Sequence, residues 1–211
     1  MSRPQTAERV KRTYQDEARR LATRSMAGLE RTSLTPDVLS ISGVCLCIVG
    51  AVVVWFEYVS EWLFLVGAAL FVVGSILDIL DGALARRTGK GTPFGAFLDS
   101  TVDRVGEGFM IGAIGLVLAR EGNEWGLALA FTAIAGSFLV SYTRARAEAL
   151  GLKGDVGIGS RAERVVVITT GLVLAPLHEL VLPSTMALLT ATAWLTVVQR
   201  VLSVRSQLRS L

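Results

Sequence analysis

Four aspartates between residues 78 and 103 are the side chains in this sequence best suited to chemistry. Asp78 and Asp81 are three positions apart in one apolar run, and Asp99 and Asp103 are four positions apart in the next. Residues three or four apart lie on one face of a helix, so each pair presents its carboxylates together. Carboxylates without neighbouring His or Cys favour a hard divalent cation such as Mg²⁺, which the sequence therefore predicts here.

The stretch between the two pairs, ARRTGKGTPFG, is basic and contains glycine and proline, which predicts a turn. If Gly89 and Lys90 form its tip, Asp81 comes eight residues before it and Asp99 nine residues after it. With a rise of about 1.5 Å per residue, two antiparallel helices would bring all four carboxylates to a similar depth. Two cations close together would match this number of acids and would serve phosphoryl transfer.

Acids inside apolar segments need a physical explanation. An Asp near the centre of a spanning helix costs about 2.5–3.5 kcal/mol, so four would cost on the order of 10 kcal/mol unless protons or cations compensated them. A salt bridge to Arg86 or Arg104 would explain a single acid in purely structural terms. Four acids at one depth favour a functional site, and a divalent-cation transporter is the alternative from another class of protein.

Six apolar segments of about bilayer-spanning length are the elements that must position these acids. The 211 residues are 52% hydrophobic, with a mean hydropathy of +0.54. We predict an all-α integral membrane protein with six transmembrane helices and an N-terminal amphipathic surface helix. The prediction divides the chain into a cytoplasmic segment, 1–34, and a membrane domain, 35–211, with spans at 38–57, 62–86, 92–119, 124–147, 162–182 and 184–204.

The N-terminal segment 1–34 combines many basic residues with a sparse apolar stripe. Val10, Tyr14, Ala18 and Leu21 recur at helical spacing, and most of the basic residues lie off that stripe. This pattern is typical of a helix that lies on an anionic membrane surface. A solvated charged tail is the alternative interpretation.

The distribution of Lys and Arg predicts the orientation of the protein in a cell membrane. Eight of the 21 precede the first span, and most of the others fall at 86–90, 144–164 and 200–209. Arg120 alone falls at the opposite helix ends. By the positive-inside rule, both termini and the turn at 86–90 are cytoplasmic. The net charge of +3 is thus a sign of topology, and we expect no nucleic-acid partner.

The acids belong to a longer pattern of eight fixed residues, Asp-x2-Asp-Gly-x2-Ala-Arg-x8-Gly-x3-Asp-x3-Asp, which starts at Asp78 and ends at Asp103. The pattern resembles the signature of the CDP-alcohol phosphotransferase family, and the resemblance extends over most of the chain. It implies a homodimer among membrane lipids, with CDP-diacylglycerol and a phosphorylated polar alcohol as substrates. It also implies two Mg²⁺ ions, for which Mn²⁺ can substitute.

The resemblance also implies roles for individual residues. Asp78, Asp81, Asp99 and Asp103 would hold the two metal ions. Asp103 would in addition be the general base on the acceptor hydroxyl, which attacks the β-phosphorus and expels CMP. The CDP-lipid would be contacted by Asp37, Val38, Leu39, Ser40, Gly82, Arg86 and Thr92.

The acceptor is indicated by residues 141–164, which resemble the corresponding stretch of the branch that uses inositol phosphate and forms phosphatidylinositol phosphate. Carried over by position, Arg144, Arg164 and Arg200 would bind the phosphate of the acceptor. These arginines lie at the predicted cytoplasmic ends of three helices and could converge on one anion. They could equally be determinants of topology. Within the family, glycerol 3-phosphate is the alternative acceptor, which would give a phosphatidylglycerophosphate synthase.

Overall fold

The computed structural model of the protein describes residues 35–89 and 91–210. The predicted surface helix within 1–34 lies outside these residues. The described part of the chain is all-helical, as predicted, and contains no strand. Its six α-helices are α1 (Pro36–Trp55), α2 (Trp62–Thr88), α3 (Pro93–Arg120), α4 (Glu124–Ala149), α5 (Arg161–Leu174) and α6 (Val181–Arg209), and Glu57–Val59 and Ala175–Leu177 form short 3₁₀ helices.

Four of these helices, α1, α2, α4 and α6, are long and apolar enough to cross a membrane. Helix α3 has 28 residues, but four charged residues, Asp99, Asp103, Arg104 and Glu107, lie between its start and its midpoint region. Helix α5 has only 14 residues, which at about 1.5 Å per residue is shorter than a bilayer core of about 30 Å. The four candidate spans agree with a membrane protein.

Local sequence signals explain where the helices around the acids begin. Thr35 and Thr92 cap α1 and α3, and each is followed by a proline at the first helical position. Proline is tolerated there because its missing N–H would have no partner in the helix. Ser160 and Glu163 form a capping box at the start of α5. The helix ends that surround the acids are therefore defined by short-range interactions.

The boundary between the last two predicted spans differs from the structure. The sequence prediction placed the break at Pro183, between 162–182 and 184–204. In the structure α5 ends at Leu174, the 3₁₀ turn Ala175–Leu177 follows, and α6 begins at Val181. Pro183 lies in the first turn of α6, where its ring disrupts no helical hydrogen bond. The proline therefore marks the start of a helix rather than a gap between two helices.

Helices α1 and α2 approach closely because glycines line their contact. A Cβ atom on Gly43 would lie 2.8 Å from the carbonyl oxygen of Gly74, and one on Gly50 would lie 2.9 Å from that of Gly67. Small residues allow helix backbones in membrane proteins to approach this closely. The same Cβ on Gly43 would be 3.6 Å from the amide nitrogen of Asp78, so this contact helps to position the acids.

The buried core lies among all six α-helices, on the side of the acids that faces away from the turn at Gly89. Its largest fully buried side chains include Phe71, Met110, Ile114, Ile168 and Leu189. Helix α4 packs against α3 and α6, and α5 packs against α2. This core fixes α2, α3 and α5 relative to one another, and these three helices carry the charged side chains described next.

Candidate active site

Three of the four predicted metal ligands meet between α2 and α3. Asp78, Asp99 and Asp103 each offer a carboxylate oxygen, and the three oxygens lie within 4.8 Å of one another. The side chain of Asp78 is 7% exposed and that of Asp103 is 11% exposed. The depth matching predicted from the turn at Gly89 therefore holds for these three acids.

Asp81 lies outside this three-residue group. It is buried in α2, where its Oδ2 accepts a hydrogen bond from the hydroxyl of Ser40 in α1. Its Oδ1 is also buried and has no hydrogen-bond partner among the described residues. A buried oxygen without a donor is costly, so this atom is available to accept a further interaction.

The residues present fit a hard divalent cation. The group is made of carboxylate oxygens alone, the ligands that Mg²⁺ and Mn²⁺ prefer over nitrogen or sulfur. The orphaned Oδ1 of Asp81 adds acceptor capacity beside the group. The four acids also bring more negative charge than the neighbouring arginines neutralise, since Arg161 pairs with Asp78 and Asp103 and Arg104 lies 3.9 Å from Asp103.

Arg161 is the residue at this site that sequence analysis missed. It is the first residue of α5, and its guanidinium forms ion pairs with Asp78 and with Asp103, the latter at 2.5 Å. The sequence suggested Arg86 or Arg104 as partners for the acids, because both are near them in the chain. Arg161 is 58 residues beyond Asp103 in the sequence, and only the packing of α5 against α2 brings it here.

The start of α1, the end of α2 and the start of α3 come together beside the acids. Asp37 of α1 lies close to the start of α3, since a Cβ atom added to Gly95 would be 3.1 Å from Asp37 Oδ1. Thr92 caps α3, and its hydroxyl oxygen accepts a hydrogen bond from the amide of Gly95 at 2.9 Å. A Cβ on Gly82 would meet only the guanidinium of Arg86, at 3.4 Å. The face of α2 at Gly82 is therefore open except for this arginine.

The other predicted lipid contacts in α1 differ in exposure. Val38 is exposed, whereas Leu39 and Ser40 are buried. Leu39 is only 5% exposed, so its side chain packs within the protein. The hydroxyl of Ser40 donates hydrogen bonds to Asp81 and to the carbonyl oxygen of Pro36. Of these three residues, Val38 alone presents its side chain at the surface.

Arg164, a predicted acceptor ligand, is held by a buried ion pair. Its Nε and Nη2 donate to the two carboxylate oxygens of Glu107 at 2.6 and 2.8 Å, and its Nη1 donates to the carbonyl oxygen of Gly159 at 2.8 Å. Both side chains are nearly fully buried. Glu107 is one helical turn beyond Asp103, so this pair fixes α5 against α3 directly beside the acids.

The other two predicted acceptor arginines flank Arg164. Arg200 is buried in α6 and donates to the carbonyl oxygens of Val156 and Val140, the former at 2.8 Å. Arg144 is exposed and pairs with Glu148 at 2.8 Å. Val140 is one helical turn before Arg144 in α4. Val156 lies three residues before Gly159, whose carbonyl oxygen accepts from Arg164. The structure thus groups the three arginines, although each already has a partner within the protein.

Sequence comparison supports the resemblance seen in the motif. The sequence model of the CDP-alcohol phosphatidyltransferase family matches residues 33–204. A phosphatidylinositol phosphate synthase from Mycolicibacterium smegmatis is 38% identical over 181 residues, which cover 83% of this chain and 80% of the relative. An archaetidylinositol phosphate synthase from Methanothermobacter thermautotrophicus is 40% identical over 134 residues, 63% of this chain and 66% of the relative.

Solved structures agree with this relationship. The phosphatidylinositol phosphate synthase of Mycobacterium tuberculosis with CDP-DAG bound has a TM-score of 0.77 and 33% sequence identity, over 88% of this chain and 94% of that one. A crystal structure of the same synthase with manganese and citrate has a TM-score of 0.75 over 87% and 88% of the two chains. Sequence and fold thus lead to one conclusion: the chain belongs to the CDP-alcohol phosphatidyltransferase family of membrane enzymes.

Proposed function

We propose that this protein transfers the phosphatidyl group of CDP-diacylglycerol to inositol phosphate, which releases CMP and forms phosphatidylinositol phosphate. The observation that carries the proposal is the meeting of Asp78, Asp99 and Asp103 between α2 and α3. Similarity to phosphatidylinositol phosphate synthases supports the reaction, because these relatives match most of both chains. The names of the archaeal and bacterial relatives share inositol phosphate and differ in the lipid, which favours this acceptor.

We propose Asp78, Asp81, Asp99 and Asp103 as ligands for two divalent ions, Mg²⁺ or Mn²⁺. The ions would supply positive charge that stabilises the diphosphate as its bond breaks. Asp103 is proposed to act as the general base as well. Its carboxylate takes the proton of the acceptor hydroxyl while the hydroxyl oxygen bonds to the β-phosphorus and the bond to CMP breaks.

The nucleotide end of CDP-diacylglycerol is proposed to lie where α1, α2 and α3 meet. Gly82 leaves the face of α2 open, and Arg86 beside it can donate hydrogen bonds to a phosphate or a base. Asp37 and Thr92 are at the neighbouring helix starts. Ser40 and Leu39 are buried and would support the site indirectly. Ser40 orients Asp81 through a hydrogen bond, and Leu39 packs in the core. Val38, exposed on α1, faces the surrounding lipid.

The acceptor phosphate is proposed to bind among Arg144, Arg164 and Arg200. Guanidinium groups form strong charge-assisted hydrogen bonds with phosphate, so three arginines brought together by α4, α5 and α6 support an anion-binding role. Arg164 and Arg200 are held in place by Glu107 and by backbone carbonyl oxygens, so little side-chain entropy is lost on binding. Arg144 is the exposed member, and it would exchange Glu148 for the ligand.

We propose six membrane spans. Helix α3, and α5 extended by the 3₁₀ helix Ala175–Leu177 that follows it, would complete the four candidate spans. Both termini and the active site are proposed to be cytoplasmic. The Lys and Arg distribution supports this orientation. We also propose 1–34 as a cytoplasmic segment, 35–211 as one membrane domain, and a homodimer. An apolar groove of about 670 Å³ between α1, α3 and α4, which a second copy of the chain could cover, supports the dimer.

The reaction is tested with purified protein, CDP-diacylglycerol and inositol phosphate, by measuring CMP release and identifying the lipid product by mass spectrometry. We expect release that depends on Mg²⁺ or Mn²⁺, and a loss of at least about a hundredfold in Asp103→Asn, because Asn cannot accept the proton. Glu124→Gln, at the opposite helix ends, removes one carboxylate as a control. Full activity in excess chelator, or in Asp103→Asn, would contradict the proposal.

A further inference from the structure

Arg161 joins α5 to both helices that carry the acids. Its Nη1 donates to Oδ2 of Asp78 in α2, and its Nη2 pairs with Oδ1 of Asp103 in α3 at 2.5 Å. The two carboxylates are 7% and 11% exposed, so water screens these contacts poorly. A planar guanidinium is well suited to bridging two carboxylates in this way.

The two atoms that Arg161 engages belong to residues of the three-carboxylate group. Asp78 and Asp103 are two of the three residues whose oxygens lie within 4.8 Å of one another. A divalent cation bound by this group would share carboxylates with the guanidinium, and like charges at such distances repel strongly. Arg161 and the cation therefore cannot both keep their full interaction with Asp78 and Asp103.

We infer that Arg161 is a built-in competitor for the metal-binding carboxylates, displaced from at least one of them when a divalent cation binds. The inference rests on the proposed function, because it requires these acids to bind the metal. Arg161 is 30% exposed, so its guanidinium has room to turn outwards from the start of α5. Its pairing reduces repulsion among the acids, and the same pairing weakens the affinity for the cation.

The neighbouring ion pair separates this role from that of Arg164. Arg164, one turn further along α5, donates to both carboxylate oxygens of Glu107, and its side chain is only 4% exposed. It holds the helix, whereas Arg161 contacts the acids themselves. Replacing Arg161 should therefore leave α5 anchored through Arg164 while it frees Asp78 and Asp103.

The test measures the binding of Mn²⁺ to the purified protein by isothermal titration calorimetry, in the absence of substrate. We expect Arg161→Ala to bind Mn²⁺ at least about tenfold more tightly, which is about 1.4 kcal/mol. We also expect Arg161→Ala to melt at a lower temperature than wild type in EDTA and to gain more from Mn²⁺, since its acids lack a counter-charge. Arg205→Ala, which removes an exposed arginine on α6, should match wild type in both measurements.

The outcomes separate this inference from the proposed function. If wild type binds Mn²⁺ and Arg161→Ala binds it equally or more weakly, Arg161 is not a competitor and only the inference fails. If wild type binds no Mn²⁺, and Asp78→Asn behaves identically, the metal site itself is wrong. Should Arg161→Ala fail to fold, Arg161→Gln removes the charge and keeps a polar side chain, with the same expected gain in affinity.

Discussion

At the scale of single residues, the site mixes side chains that are free to meet a ligand with side chains held by the fold. Arg144 is exposed, whereas Arg164 and Arg200 are buried among their own partners. Removing either buried arginine would strand Glu107 or backbone carbonyl oxygens, at a cost of several kcal/mol to folding. Arg144 is therefore the arginine at which binding can be tested without loss of stability.

We predict that Arg144→Ala raises the KM for inositol phosphate about ten- to a hundredfold, because a charged hydrogen-bond partner of a phosphate is commonly worth about 1.5–3 kcal/mol. The KM for CDP-diacylglycerol should change little. Steady-state kinetics on both substrates measures the two effects. Arg146→Ala removes an exposed arginine two positions along the same helix, on a different face, and should leave both KM values unchanged. An equal rise in both variants would mean that net charge alone is responsible.

At the scale of elements, the position of the acids depends on how closely α1 packs against α2. The contact at Gly43 and Gly74 leaves no room for a side chain, and it adjoins the backbone of Asp78. A methyl group there would push the two helices apart. By contrast, a Cβ on Gly112 in α3 would meet nothing within 4 Å.

We predict that Gly43→Ala destabilises the protein by about 1–3 kcal/mol, the usual cost of overpacking a close contact. Gly112→Ala should be neutral or slightly stabilising, because alanine is the better helix former. Thermal unfolding in detergent compares the two single-methyl additions. The packing argument would be wrong if both variants melted at the wild-type temperature, or if Gly112→Ala were the less stable one.

The helices and their contacts differ in how well the sequence alone could predict them. Periodicity and hydropathy predicted the helices. The spacing about Gly89 predicted that all four acids would meet, and the structure brings together Asp78, Asp99 and Asp103 but not Asp81. Those features depend on neighbours in the chain. The pairing of Arg161 with two of the acids, of Glu107 with Arg164, and of Ser40 with Asp81 depends on which helices pack together. A single sequence carries no local signal for such pairings.

The end of α5 was missed for a related reason. Residues 162–182 form one continuous apolar block by hydropathy, yet the helix stops at Leu174. Pro176 follows within a 3₁₀ turn, and Pro183 lies in the first turn of the next helix, where it does not break the helix. Hydropathy averages over such short turns. It therefore located the apolar segments correctly but placed the boundary between α5 and α6 incorrectly.

At the scale of the whole molecule, charge is distributed unequally between the two ends of the helices. The acids, Arg161 and the three acceptor arginines lie towards one end, and Glu57, Arg120, Glu121 and Glu124 lie at the other. The first end is the one predicted to be cytoplasmic. CDP-diacylglycerol and inositol phosphate would then both be reached from the cytoplasm.

We predict that a Cys at position 90 reacts only with a membrane-impermeant reagent applied from the cytoplasmic side, and a Cys at position 124 only from the opposite side. Cys45 and Cys47 are first replaced by Ala, since both are free thiols. Position 124 is preferred to Gly122, whose φ of 74° suits glycine best. Labelling of both positions from one side would overturn the proposed topology.

The central claim is that the acceptor is a phosphorylated inositol, and a competition among acceptors tests it most directly. Purified protein with Mg²⁺ and CDP-diacylglycerol is given inositol phosphate, free inositol or glycerol 3-phosphate, and kcat/KM is measured for each from CMP release. We predict that inositol phosphate exceeds free inositol by at least about tenfold, because free inositol lacks the phosphate that accepts charge-assisted hydrogen bonds from the arginines. Equal use of free inositol, or faster turnover of glycerol 3-phosphate than of inositol phosphate, would contradict the account.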